Sequence, residues 1–135
     1  MRIMISALIG AGLCLAQPTY AASAPDAAPA QQDADYQAML RCYGFHFFKI
    51  ELGTKINNTE IAQAGRDQSQ LDLDALRVYA GKKGLAWADV QAAADASAKA
   101  RRAIYIDPKN RDTLMGDQDY CSSDAFVRVL LQYQQ

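Results

Sequence analysis

One residue stands out as a candidate for acid–base or metal chemistry. His46 is the only histidine in the chain, and imidazole is the side chain that ordinarily titrates between roughly pH 5 and 8. A single histidine excludes a multi-histidine metal centre within one chain, and the HExxH zinc motif is absent. Axial haem ligation by His46 and a methionine would have to use Met115, because Met39 lies two turns away on the same predicted helix and cannot face His46 across a porphyrin. The expectation for His46 is therefore a ring packed at the edge of the core, beside Cys42 one turn earlier.

The other reactive types give no catalytic constellation. The cysteines are Cys14, Cys42 and Cys121, with no CxxC or CxxCH among them. The GxSxG elbow, the phosphate-binding loop and the dinucleotide glycines are missing too. Acidic residues gather at Asp107, Asp112, Asp117, Asp119 and Asp124, but their spacing lacks the calcium-loop pattern and its closing glutamate. They read as a solvated loop that helps to cap the last helix. Lys99, Arg101, Arg102, Lys109 and Arg111 read as a helix C-terminus followed by a soluble loop. No cofactor and no metal is expected. The formal net charge of −1 argues against general nucleic-acid binding, which needs many cations to neutralise phosphates.

The N-terminus carries the pattern of an export signal. Met1 and Arg2 precede an uncharged, mostly apolar stretch from Ile3 to Ala16. Gln17-Pro18-Thr19 ends it, and Thr19-Tyr20-Ala21 supplies small residues for cleavage near Ala21 or Ala22. The apolar stretch is shorter than the roughly 20 residues needed to cross a bilayer as a helix. Leu13 before Cys14 departs from the small residue that lipoprotein signals carry there. The expected organisation is residues 1–21 as signal peptide, 22–32 as a flexible Ala/Pro/Gln-rich tether, and 33–135 as one helical domain in the periplasm or secreted. No stable membrane span remains once the signal is removed. In an oxidising compartment the two remaining cysteines, Cys42 and Cys121, have one intramolecular pairing and are expected to form a disulfide.

The elements that must hold these residues are helices. The first is predicted from Asp33 or Asp35 to Leu52, with Gly53 as its stop. At helical spacing Tyr36, Met39, Leu40, Tyr43, Phe47 and Ile50 share one face, and Phe45, Phe48 and Leu52 fall opposite. A short helix over Thr59–Ala64, ended by Gly65, comes next. Ser69-Gln70-Leu71-Asp72 then matches a capping box for a helix closed by Lys82-Lys83-Gly84. A third helix spans Ala86–Ile104 with a stripe of Trp87, Val90, Ala94, Ala98 and Tyr105, and Trp87 is expected to be a buried packing residue. Residues 107–119 read as a polar loop, and a last helix begins near Ser122. The result is an all-α fold, a small irregular bundle of about four helices closed by one disulfide.

A helix apolar on two sides is usually central in its bundle. The second face, Phe45, Phe48 and Leu52, needs cover. The Ile56/Ile61 segment, the last helix or another protein would each supply it. The functional expectation takes the last of these: an exported, non-enzymatic protein that binds another protein through Phe45, Phe48 and Leu52, in an inhibitor, immunity or chaperone-like role. The alternatives are a carrier of a small apolar ligand in an aromatic-lined pocket, and an enzyme without a recognisable motif.

Overall fold

The computed structural model describes residues 33–134. The expected signal, its cleavage site and the tether lie outside the described residues. Five α-helices follow one another: α1 Ala34–Lys55, α2 Thr59–Lys83, α3 Trp87–Tyr105, α4 Arg111–Cys121 and α5 Asp124–Leu131, with a 3₁₀ turn Pro108–Asn110 before α4. No strand occurs among the described residues. The all-helical expectation holds, with one helix more than anticipated.

α1 starts where its sequence directs. The Asp33 carboxylate accepts hydrogen bonds from the Asp35 and Tyr36 amides, removing two of the unpaired donors of a helix N-terminus. The helix does not stop at Gly53. It runs one turn further to Lys55, and Asn57 takes the left-handed conformation at φ 55° that closes it. The Asn58 amide then reaches back to the Gly53 carbonyl at 2.8 Å, as in a Schellman cap.

Gly53 is needed at the crossing of α1 and α2. A Cβ there would stand 2.4 Å from the Ala62 amide nitrogen and 2.9 Å from the Asn58 carbonyl oxygen, both fixed backbone atoms. Gly65 plays the same part from α2, facing the His46 carbonyl oxygen and the Ile50 amide nitrogen. This is why the predicted break at Gly65 does not occur: the glycine is buried against α1, so packing holds the helix through it. Gly53→Ala is expected to lower stability by about 1–3 kcal/mol through overpacking, despite the better helix propensity of alanine. Chemical denaturation checks this, and an unchanged midpoint would show that the crossing can spread at no cost.

With α2 continuous, Ser69 and Asp72 are mid-helix rather than a capping box. Asn58 caps α2 instead, accepting from the Ile61 amide, and Gly84 at φ 67° ends it after Lys82 and Lys83 as expected. Residues 107–119 are likewise not a loop. Asp107 caps the 3₁₀ turn and Pro108 sits at its first position, after which α4 buries Asp117 and Cys121.

α1 is the central helix. Tyr36, Met39, Leu40, Cys42, Tyr43, Phe45 and Phe48 are all buried, and so is His46. α2 covers one side and α3 another. The second apolar face therefore finds its cover within the chain: the Tyr105 ring at the end of α3 lies 6.2 Å from the Phe45 ring and 5.1 Å from the Phe48 ring. Leu52 is half-buried against the same core. Cys42 of α1 and Cys121 at the end of α4 are bonded, their Cα atoms 5.4 Å apart. Trp87 is only half-buried, with the Arg77 guanidinium 4.8 Å from its ring centroid. The large loss expected of a buried tryptophan is thus reduced to about 1–2 kcal/mol for Trp87→Ala. A thermal melt distinguishes the two values.

Candidate docking groove

Three arrangements of polar or aromatic side chains could carry function. The first is His46 with Asp72. His46 Nδ1 lies 2.7 Å from Asp72 Oδ2, and the two side chains are 4% and 0% exposed. Burial pushes the Asp72 carboxyl above its ordinary range, with the bond and charge of His46 acting in the opposite direction. Asp72 Oδ1 is buried with no hydrogen-bond partner. The imidazole is thus held by a carboxylate, as a catalytic base would be, but the pair is sealed between α1 and α2, where a substrate does not reach.

The second is a charge cluster around Asp117, which is buried rather than solvated. Arg41 Nε donates to Asp117 Oδ1 at 2.6 Å, and Arg101 donates to Oδ2 at 2.7 Å. The Tyr105 hydroxyl donates to the same Oδ2. Burial and the bond to Asp117 together push the Tyr105 hydroxyl well above the usual tyrosine range. One carboxylate thus ties α1, α3 and α4 together. Arg101, read from the sequence as part of a helix C-terminus, and Asp117, read as part of a solvated loop, are partners in this tie. Met115, the one methionine that a haem would need, is exposed on α4. Among the described residues no group of three or more His, Cys, Asp or Glu is placed to hold a metal ion.

The third arrangement is open to solvent. Where α1 lies along α3, a groove of about 580 Å³ separates them. Phe48 and Ala98, both nearly buried, form its floor. Phe47 of α1 stands 48% exposed on one wall, and Ala92 and Ala96 of α3 face it from the other. The rim carries Glu51, Asp95, Lys99 and Arg102. Arg102 grips Glu51 with two hydrogen bonds of 2.7 and 2.8 Å, and its guanidinium holds the Glu51 carboxyl below the usual range.

The groove has a plain cause in the sequence. α3 approaches α1 closely at Gly44, where a Cβ would meet the Ser97 carbonyl at 3.1 Å, and Ser97 Oγ donates to the Leu40 carbonyl. Towards Phe47, alanines of α3 leave the space beside the ring unfilled. Helical spacing places Phe47 with the core face, yet it is the exposed member. Phe45 and Phe48, expected to offer the binding patch, lie in the core. The signal available in the sequence is Ala92 and Ala96 one turn apart, interleaved with Asp95 and Lys99. That pattern marks a face of small and charged side chains, which cannot cover an aromatic ring on a neighbouring helix.

No described helix is long and apolar enough to cross a membrane. Comparison with protein-family models, with curated proteins and with solved structures finds no match.

Proposed function

We propose that this chain is an exported, non-enzymatic helical protein that works by binding another protein, and that it does so through the α1–α3 groove. One observation carries the reading: a large aromatic side chain, Phe47, is half-exposed beside an open apolar groove framed by charges. An aromatic anchor in an apolar centre with a polar rim is the usual anatomy of a protein-binding site. Two helix walls flanking an apolar floor also suit a third helix laid between them.

The expected signal peptide and the Cys42–Cys121 bond support export to the periplasm or beyond, since a bond of this kind persists in oxidising compartments. The carrier reading draws support from the groove volume, which falls within the range of small-molecule sites. It is weakened by the aromatics themselves, because Phe45, Tyr36, Tyr43 and Tyr79 pack on one another and on the core instead of lining the groove.

The test places a photo-crosslinking side chain at the exposed position of Ala96 in the exported protein. A protein adduct is expected in cells, and Phe47→Asp in the same chain should abolish it while changing stability by no more than about 1 kcal/mol. The same crosslinker at Gln70, on α2, should give no adduct. Absence of any adduct that depends on Phe47 would overturn the reading, and native mass spectrometry showing a bound small molecule lost in Phe47→Asp would replace it with the carrier.

A further inference from the structure

We infer that the occupant of the groove is a second copy of this chain, the two protomers meeting about a two-fold axis that passes over α3 between Asp95 and Lys99. This rests on the reading of the groove as a protein-docking surface and goes on to name the partner.

The argument starts from charge. Asp95 and Lys99 lie one turn apart on α3, both exposed and both on the groove rim. Neither forms an ion pair with another described residue, in contrast to Glu51 and Arg102 beside them, which satisfy one another. A two-fold axis perpendicular to α3 reverses the direction of the helix, so it brings Asp95 of one protomer against Lys99 of its partner, and the converse pair with it. A surface carrying opposite charges in this order is complementary to its own rotated copy, which is the condition an isologous interface must meet. The four rim charges, two acidic and two basic, sum to zero, so two copies approach without net repulsion.

The apolar part of the surface fits the same arrangement. Ala92, Ala96, Ala100 and Ala103 are all exposed on the outward side of α3. Side chains this small let two helices cross near the short end of the 8–10 Å range of interaxial distances (roughly 8 Å). At that separation Phe47 of each protomer reaches the alanine face of the other and fills space that its own α3 leaves open. The groove, at about 580 Å³, accommodates several side chains. Two Phe47 rings are then removed from water in one step, an anchor repeated twice by symmetry.

Sedimentation of the full exported, oxidised chain over a wide concentration range tests this. A reversible monomer–dimer equilibrium is expected. Asp95→Lys alone and Lys99→Asp alone should each weaken it by about tenfold or more, because each sets like charges against one another twice. An equimolar mixture of the two variants should restore the dimer as a heterodimer, since the introduced lysine at 95 then faces the introduced aspartate at 99 in one place, and the unaltered Lys99 and Asp95 face one another in the other. Both positions are exposed, so at concentrations where every chain is monomeric the melting temperatures of the variants should match that of the parent chain. A chain that stays monomeric throughout, a dimer indifferent to both single variants, or a mixture with no heterodimer would each overturn the inference. A monomeric chain whose Ala96 crosslinker still captures a different protein in a Phe47-dependent way would overturn the inference and leave the docking reading standing. No Phe47-dependent adduct at all would remove both.

Discussion

Breaking the Cys42–Cys121 bond should lower the stability of the domain by about 4–5 kcal/mol, among the largest losses a single covalent change can cause here. The two cysteines are 79 residues apart, so the bond closes most of the domain into one loop. In the chain-entropy account, the unfolded ensemble gains freedom roughly with the logarithm of loop length when the bond is removed. For a domain of about a hundred residues that corresponds to a fall in Tm on the order of 20 °C. The bond also tethers the C-terminal segment to α1. α4 and α5 are held to the rest by the Asp117 cluster, by Phe126, and by the Tyr133 hydroxyl donating to Asp35. Cys42→Ala/Cys121→Ala avoids placing a hydroxyl in a buried site. Denaturant melts of this variant beside the parent chain give the measurement. A loss under about 1 kcal/mol would mean that α4 and α5 are already held near α1 in the unfolded chain, and the entropic account would fail.

The same C-terminal segment shows where sequence reasoning reached its limit. Helical class, the Asp33 cap, the Gly84 stop, the central position of α1 and the cysteine pairing are all legible, because each follows from a local residue type or from a strong apolar period. α4 was not, for a physical reason. Its inward positions are Leu114, Asp117 and Cys121, and the middle one is a carboxylate. A buried charge whose partners Arg41, Arg101 and Tyr105 come from two other helices leaves no apolar stripe to find. Asp72 is hidden in the same way: its spacing from Ser69 fits the acidic position of a capping box, while it serves as the partner of His46. Gly65 looked like a stop because a break and a close helix crossing ask for the same residue. On α1 apolar residues occupy two sides, so periodicity alone could not decide which phenylalanine would be left outside. The lack of bulk on α3, at Ala92 and Ala96, decided it for Phe47.

The second large effect concerns the buried pair between α1 and α2. His46→Leu should cost about 3–5 kcal/mol at neutral pH, because it leaves a fully buried carboxylate with no partner on either oxygen. The loss should shrink as the pH falls, and the sign follows from Asp72. Burial raises its folded-state pKa above the unfolded value, and His46 restrains that rise. A carboxyl with a raised folded-state pKa contributes stability that is fully present below the unfolded pKa, roughly 3.9, and lost as the pH climbs through the folded value. Removing His46 lifts the restraint, so the folded value rises further and the penalty at neutral pH grows. Protonation of Asp72 in acid then removes the buried charge and most of the penalty. Asp33 and Glu51 act with the opposite sign. Burial raises Asp33, but its bonds to Tyr36, Tyr79 and Lys83 bring it below the ordinary carboxylate range, and Arg102 lowers Glu51. Their contributions are present above the unfolded pKa and lost in acid, in both proteins alike. Asp33 and Glu51 therefore cancel in the difference between the variant and parent stability curves, which leaves the contribution of the His46–Asp72 pair. Urea melts from neutral pH down to about pH 4 should show that difference narrowing, and Asp72→Asn added to His46→Leu should flatten it. A penalty that stays constant with pH would show that Asp72 carries no charge in the folded protein.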